Sequence, residues 1–182
     1  MQSIKIMFIF GTRPEAIKLA PVIKVFRAEP RIESLVVVTG QHREMLKQVL
    51  QLFEIKPDYD LEVMQPGQSL TQITKQVLQG LEGILKLQTP DLVLVHGDTT
   101  TTFTGALAAV YQQIKVGHIE AGLRSYCKYA PYPEEINRCL TGVLADLHFA
   151  PTKANKANLT GEGTAADCIF VTGNTVIDAL QL

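Results

Sequence analysis

The sequence predicts an α/β fold, a doubly wound and mostly parallel Rossmann-like sheet of about seven strands. Short apolar runs alternate along the chain with segments whose apolar residues recur at helical spacing, which is typical of βαβ units. The segment 92–95 is apolar at every position, as expected of a strand covered by helices on both faces. The length of 182 residues is enough for one domain with a sizeable core.

The first half of the chain predicts four strands and three helices. The strands are expected at 4–10, 35–38, 60–64 and 92–95, and the helices after Pro14, at 43–53 and at 71–87. Pro14 suits the first turn of a helix, whereas Pro21 should make the same helix irregular. The side chains predicted to face the core from the second helix are Met45, Val49, Leu50 and Phe53.

The second half continues the alternation. Helices are expected at 101–111, 134–144, 153–159 and after Asn174, and strands at 116–119, 147–149 and 169–171, with an irregular loop at 121–133. The threonine run 99–102 precedes the first of these helices. Its hydroxyl groups are predicted to accept hydrogen bonds from the free backbone N–H groups of the first turn.

Composition and charge exclude several classes of protein. The chain has 17 Lys and Arg against 18 Asp and Glu, a net charge of −1 and a pI near 6.4. This balance argues against a nucleic-acid or membrane-surface protein that works by bulk electrostatics. The apolar runs are too short to span a bilayer, and the N-terminal sequence lacks a cleavage-like site, so no signal peptide is expected.

Cysteine and histidine spacing predicts neither disulfides nor a metal site. The three cysteines form no C-x-x-C pair and predict reduced thiols in a cytoplasmic protein. The four histidines have no metal-ligand spacing. No G-x-G-x-x-G follows the first strand and no acidic residue closes the second, which disfavours a NAD site; no cofactor is expected.

Polar residues cluster where a parallel sheet binds its ligands, beyond the carboxyl ends of the strands. These residues are Arg13 and Lys18 after the first strand, Asp98 after the fourth, Glu120 after the fifth, and Glu134 and Arg138 after the long loop. Carboxylates and cations are thereby brought to one edge of the sheet. The pattern predicts a site for an anionic ligand.

Each candidate also has a structural explanation. Asp98 would serve equally well as the N-cap of the next helix, and Glu134 and Arg138 have the spacing of a helix ion pair. Glu120 follows an apolar strand, where a carboxylate is costly unless a cation meets it. Lys18 lies near a helix N-terminus, where its charge does not favour the helix dipole, so a ligand-facing role is expected. The histidines at or beside strands, His96, His118 and His148, are predicted to be core residues.

Seven blocks of sequence, taken in order, resemble the non-hydrolysing UDP-N-acetylglucosamine 2-epimerases. They are FGTRPEAIKLAPV, TGQHREML, LVHGDTTTTFTGALAA, VGHIEAGLRS, PYPEEINR, ADLHFAPT and VTGNTVIDAL. The resemblance implies a cofactor-independent isomerase that interconverts UDP-N-acetylglucosamine and UDP-N-acetylmannosamine for polysaccharide biosynthesis. It also implies the N-terminal half of a glycosyltransferase-B-like fold, in which two Rossmann-like domains enclose the active site.

The resemblance assigns roles to the polar residues. Asp98, Glu120 and Glu134 match the functional acids of the family, and the choice of base and acid among them stays open. Lys18 and Arg138 match further catalytic positions. The substrate-binding positions are Arg13, Lys18, Asp98 and Glu120.

Some members of the family have a second, activating UDP-N-acetylglucosamine site near the block TGQHREML. Gln41 and His42 match part of this activator site. The chain has Glu44 where those members have Gln, and Gly67 in a segment where they supply an Arg.

Family members are about twice as long as this chain, so the resemblance implies a division of the sequence. Residues 1–172 are expected to form the Rossmann-like domain and 173–182 the start of an interdomain helix, with the C-terminal UDP-binding domain absent. Expected partners are UDP-N-acetylglucosamine and either a second copy, as a homodimer, or a chain that carries the other domain. Two alternatives stay open: the acceptor-side domain of a two-domain glycosyltransferase, and a non-catalytic nucleotide-sugar-binding subunit.

Overall fold

The structure is a computed structural model that describes residues 3–40, 43–63, 65 and 67–182. Its strands are β1 Ile4–Phe10, β2 Ile32–Val38, β3 Tyr59–Asp60, β4 Leu92–His96, β5 Lys115–Ile119, β6 Leu147–Ala150 and β7 Ile169–Val171. Its α-helices are α1 Arg13–Ala28, α2 Arg43–Leu52, α3 Leu70–Gln88, α4 Thr100–Tyr111, α5 Glu134–Leu144, α6 Lys153–Gly161 and α7 Val176–Ala179. A 3₁₀ turn at Ala166–Cys168 precedes β7.

The strands form one parallel sheet in the order β3-β2-β1-β4-β5-β6-β7, so the predicted fold class is confirmed. β1 lies between β2 and β4, and its register joins Phe8 to Val36 on one side and to Leu94 on the other. The chain therefore winds away from β1 in both directions. Loops after β1 and β4 meet at this reversal, where ligands bind in folds of this kind.

The two faces of the sheet bury separate apolar clusters. Side chains of β1 alternate between them, because successive residues of a strand point to opposite faces. Ile6, Phe8 and Phe10 pack with α1 and α2, and Met7 and Ile9 pack with α3 and α4. Helices on both faces explain why the central strands are apolar throughout.

Most element bounds agree with the predictions, and β1, α5 and β7 have the expected limits. β2 begins earlier, because Ile32 already pairs with Ile4. The predicted strand 60–64 is wrong in extent: β3 is a two-residue edge strand, and Met64 lies outside the described residues.

Two predictions for the helices are wrong. Met45 is 45% exposed, and Leu46 faces the core in its place. α1 continues through Pro21 as one helix. Pro21 and its neighbours Ala20 and Ile23 are buried, so packing against the sheet outweighs the hydrogen bond that proline cannot donate.

Within the described ranges, a helix long and apolar enough to cross a bilayer does not occur.

The loop after β5 depends on Gly122, which has a φ of 86°. A Cβ atom there would lie 2.4 Å from the backbone oxygen of Asn155 in α6. The side chains of Asn155 and Asn158 both donate to the Gly122 carbonyl, so the loop is fastened to α6.

Gly122→Ala is expected to lower the free energy of unfolding by about 2–4 kcal/mol, because it adds both left-handed strain and a backbone overlap. Urea denaturation of the 182-residue chain measures this loss. Gly83→Ala is the control: Gly83 is helical with open space around it, and alanine should stabilise the chain by about 0.5–1 kcal/mol. Equal effects of the two substitutions would contradict this account of the loop.

Candidate active site

The structure brings four of the predicted site residues together as two ion pairs at the carboxyl edge of the sheet. Lys18 pairs with Glu120, and Arg138 pairs with Asp98. Each pair joins residues from different elements: Lys18 lies on α1, Glu120 follows β5, Asp98 follows β4 and Arg138 lies on α5.

Glu120 is held by hydrogen bonds from Lys18 and Asn174, and His96 lies nearby. Nζ of Lys18 donates to its Oε1 over 2.6 Å, and Nδ2 of Asn174, beyond β7, donates to the same oxygen over 3.1 Å. Nε2 of His96 lies 3.8 Å from Oε2. The expectation that a cation must meet this carboxylate is confirmed. The backbone of Glu120 has a φ of 66°, a strained value for a residue with a side chain, and such strain occurs often at functional sites.

Asp98 is held by α5. Nη2 of Arg138 donates to its Oδ2 over 2.5 Å, and Nδ2 of Asn137 donates to its backbone oxygen over 3.0 Å. The N-cap of α4 is Thr99, whose hydroxyl accepts from the Thr102 N–H. The N-cap explanation for Asp98 is therefore wrong, while the prediction for the threonine run is confirmed.

Burial raises the pKa of Asp98 above its ordinary value. Arg138 opposes this rise, whereas the negative charges of Glu120, Glu134 and Glu15 add to it. Several carboxylates share the edge of the sheet, so the charged form of Asp98 is disfavoured.

Arg138 pairs with Glu135 and not with Glu134, so the predicted i,i+4 ion pair is wrong. Its Nη1 lies 3.5 Å from Oε2 of Glu135. The Glu135 carboxylate also accepts hydrogen bonds from the backbone N–H groups of Ser125 and Tyr126. Burial alone would raise the pKa of Glu135. The hydrogen bonds from these donors and the charge of Arg138 have the larger combined effect, so the pKa is lowered. Glu135 thus fixes Arg138 and the end of the long loop together.

Arg13 and Glu134 stand apart from these pairs. Arg13 is exposed and Glu134 is half-buried at the start of α5. Neither side chain has a hydrogen bond or ion pair to another described residue, although the charge of Glu134 acts on Asp98. Both are therefore free to meet a ligand.

The three strand histidines are buried, as predicted. Burial, with the nearby Lys18 charge, lowers the pKa of His96 to about 3, so its ring is neutral near pH 7. Burial also lowers the pKa of His118 to about 3, and its Nε2 lies 2.7 Å from the oxygen of Gly97, beside Asp98. His96 and His118 thus support the backbone and side chains of the site from within the sheet.

Sequence reasoning missed His96, Glu135 and Asn174 as neighbours of these ion pairs. Glu135 has a visible signal, because it lies three residues before Arg138 on one helix. The Asn174 contact crosses 54 residues, and no local pattern indicates it.

Gln41 and His42 lie outside the described residues. In the part of the chain that the structure does describe, side chains of His, Cys, Asp and Glu form no group of three or more that could hold a metal ion.

The parallel sheet, with carboxylates and cations at its carboxyl edge, defines a Rossmann-like domain. A lipopolysaccharide outer core galactosyltransferase has this fold, with a TM-score of 0.65 over 94% of this chain and 46% of its own, at 19% identity. The family model described as UDP-N-acetylglucosamine 2-epimerase matches residues 24–182. The chain belongs to the UDP-N-acetylglucosamine 2-epimerase family.

Relatives with this description match the chain over its whole length. The UDP-N-acetylglucosamine 2-epimerase of Bacillus subtilis is 59% identical over 181 residues, which are 100% of this chain and 48% of that protein. The crystal structure of the Neisseria meningitidis UDP-GlcNAc 2-epimerase bound to UDP-GlcNAc has a TM-score of 0.94 at 59% identity, covering 98% of this chain and 49% of its own. The chain spans about half the length of the curated relatives it matches.

Arg138→Gln is expected to raise the pKa of Asp98 further, because Arg138 is the cation that opposes the effect of burial. Loss of this positive charge disfavours the ionised carboxyl, so the Asp98 titration should move to higher pH. NMR titration of the Asp98 carboxyl in the chain measures it. Arg31→Gln is the matched control, since Arg31 pairs with Glu29 at the surface and should leave Asp98 unchanged. An unchanged Asp98 titration in Arg138→Gln would contradict the pairing.

Proposed function

We propose that this chain supplies the N-terminal half of the active site of a UDP-N-acetylglucosamine 2-epimerase. The observation that carries the proposal is the pair of carboxylates at the sheet edge, Asp98 and Glu120, each held by a cation from another element. Membership of the family and the UDP-GlcNAc bound to the Neisseria relative support UDP-N-acetylglucosamine as the substrate.

In the proposed reaction, a base takes the proton from carbon 2 of the sugar and the carbon 1–oxygen bond breaks. UDP leaves with the bonding electrons, and a 2-acetamidoglucal remains. Return of a proton to carbon 2 from the opposite face, with addition of UDP to carbon 1, completes the epimerisation. Acid and base groups are needed on both faces, which agrees with a site of several carboxylates.

We assign these proton transfers to Asp98, Glu120 and Glu134. The raised pKa of Asp98 suits a group that both accepts and releases a proton nearer to neutral pH. Glu134 is free to approach a sugar, because its side chain is not engaged by another described residue.

The cations have two tasks in this proposal. Arg13 and Lys18 stabilise the charge that develops on the departing diphosphate. Arg138 holds Asp98 and is itself fixed by Glu135. Lys18 loses part of its interaction with Glu120 when a diphosphate approaches. Binding of the leaving group is thereby coupled to the ion pairing of Glu120.

The chain length bears on activity. The relatives are about twice as long, so we propose that the segment 173–182 leads into a second domain that completes the site. We further propose a homodimer, or a complex with a chain that carries that domain. The three free cysteines support a cytoplasmic location, where thiols stay reduced. Gln41 and His42 are proposed to contribute to an activator site.

Incubation with UDP-N-acetylglucosamine in D₂O tests the reaction. The chain alone is expected to show little or no turnover. Addition of the C-terminal half of the Bacillus subtilis relative should give UDP-N-acetylmannosamine and deuterium at carbon 2, followed by NMR. Epimer formation without deuterium would contradict the proton-transfer mechanism, and near-normal turnover by the chain alone would contradict the half-site.

Glu120→Gln and Asp98→Asn are each expected to lower turnover in this mixture by about 10²-fold or more, because each loses a proton-transfer group. Glu33→Gln is the control: Glu33 pairs with Lys5 at the opposite edge of the sheet and should leave turnover unchanged. Full turnover by both site variants would exclude these carboxylates as the acid and base.

A further inference from the structure

Glu15 is a buried carboxylate at the start of α1 that none of the roles above uses. The residue is 3% exposed. Oε2 accepts from the backbone N–H groups of Gly11 and Thr12 over 3.0 and 2.7 Å. Oε1 accepts from the Thr99 hydroxyl over 2.7 Å and lies 3.0 Å from the Thr102 hydroxyl, whose single proton also faces the backbone oxygen of His96 at 2.6 Å.

These donors would otherwise form an anion-binding site. Free N–H groups and the helix dipole make a helix N-terminus attractive to phosphate. In nucleotide-binding sheets, the loop between the first strand and the first helix commonly receives the phosphates of the ligand. In this chain the same position, between β1 and α1, is filled by the chain's own carboxylate.

A helix cap explains only half of this arrangement. Thr12 and Glu15 form a capping box, which accounts for the bonds to Oε2. The contacts of Oε1 come from the N-cap and the first turn of α4, 84 and 87 residues further along the chain. They attach the start of α1, with the loop directly before Arg13, to the helix start that follows Asp98.

We propose that Glu15 is an internal anion that takes the place of phosphate on the backbone N–H groups of Gly11 and Thr12, directly before α1, and positions this loop against the start of α4 beside Asp98. A nucleotide diphosphate at this edge of the sheet then meets the side chains of Arg13 and Lys18, because these two loop N–H groups are occupied. That consequence for the diphosphate rests on the proposed function. The replacement of phosphate by Glu15 does not, and it is tested without catalysis.

The test compares anion binding by the 182-residue chain and its variants, with inorganic phosphate and formate as probes and chloride at equal ionic strength as the reference. Glu15→Ala opens space and frees the N–H groups of Gly11 and Thr12 and the hydroxyl of Thr99. It should unfold at a lower temperature than the wild type in chloride, and phosphate and formate should restore much of the loss. Phosphate affinity, read at the amide signals of Gly11 and Thr12, is expected to rise about tenfold.

Two further variants separate an anion site from simple destabilisation. Glu15→Gln removes the charge but keeps the volume, so it should be destabilised without rescue by either probe. Asp58→Ala removes a carboxylate that accepts from a strand N–H, that of Val36, away from any helix N-terminus. It is expected to lose stability and to gain no anion dependence.

Equal effects of phosphate, formate and chloride on Glu15→Ala, or equal rescue of Asp58→Ala, would overturn the proposal. If Glu15→Ala is unfolded in chloride, folding induced by formate or phosphate supports the proposal, and failure of both probes to induce it counts against it. None of these outcomes depends on epimerase activity, so failure here leaves the proposed function to its own test.

Discussion

Negative charge gathered at the carboxyl edge of the parallel sheet is the constraint on which the rest of the site depends. Four carboxylates, those of Glu15, Asp98, Glu120 and Glu135, are held there at least partly out of solvent. A carboxylate in such surroundings is costly unless donors or cations meet it. Asp98 and Glu120 pair with cations from other elements of the fold. Glu15 and Glu135 accept hydrogen bonds from backbone N–H groups.

This compensation also binds the loops of the site to one another. Lys18 joins α1 to the end of β5, Arg138 joins α5 to the end of β4, and Glu15 joins the starts of α1 and α4. Compensation is incomplete at Asp98, whose pKa is raised by burial. The ion pairs of the site and the raised pKa of Asp98 therefore have the same origin in this domain.

The predicted fold was largely right because its signals are local. Helical spacing over 134–144 and the apolar run 4–10 determine α5 and β1 within their own sequence. The predicted strand limits were wrong where pairing with a neighbouring strand sets them. β2 extends to Ile32 because β1 is there to pair with it, and β3 is short because it lies at the sheet edge with a single neighbour.

For the site, the sequence alone identifies the polar residues at the carboxyl edge. The end of each strand is a local feature, and the carboxyl ends of all strands in a parallel sheet lie at the same edge. Their partners depend on the tertiary structure. Lys18 and Glu120 are 102 residues apart, and Arg138 and Asp98 are 40 apart. Within α5, Arg138 pairs with Glu135, three residues away, and not with Glu134, four residues away. Helix spacing makes a partner three or four residues away possible, as for Glu135. Partners 40 or 102 residues away come together only through the way strands and helices stack, because an ion pair requires closeness in space.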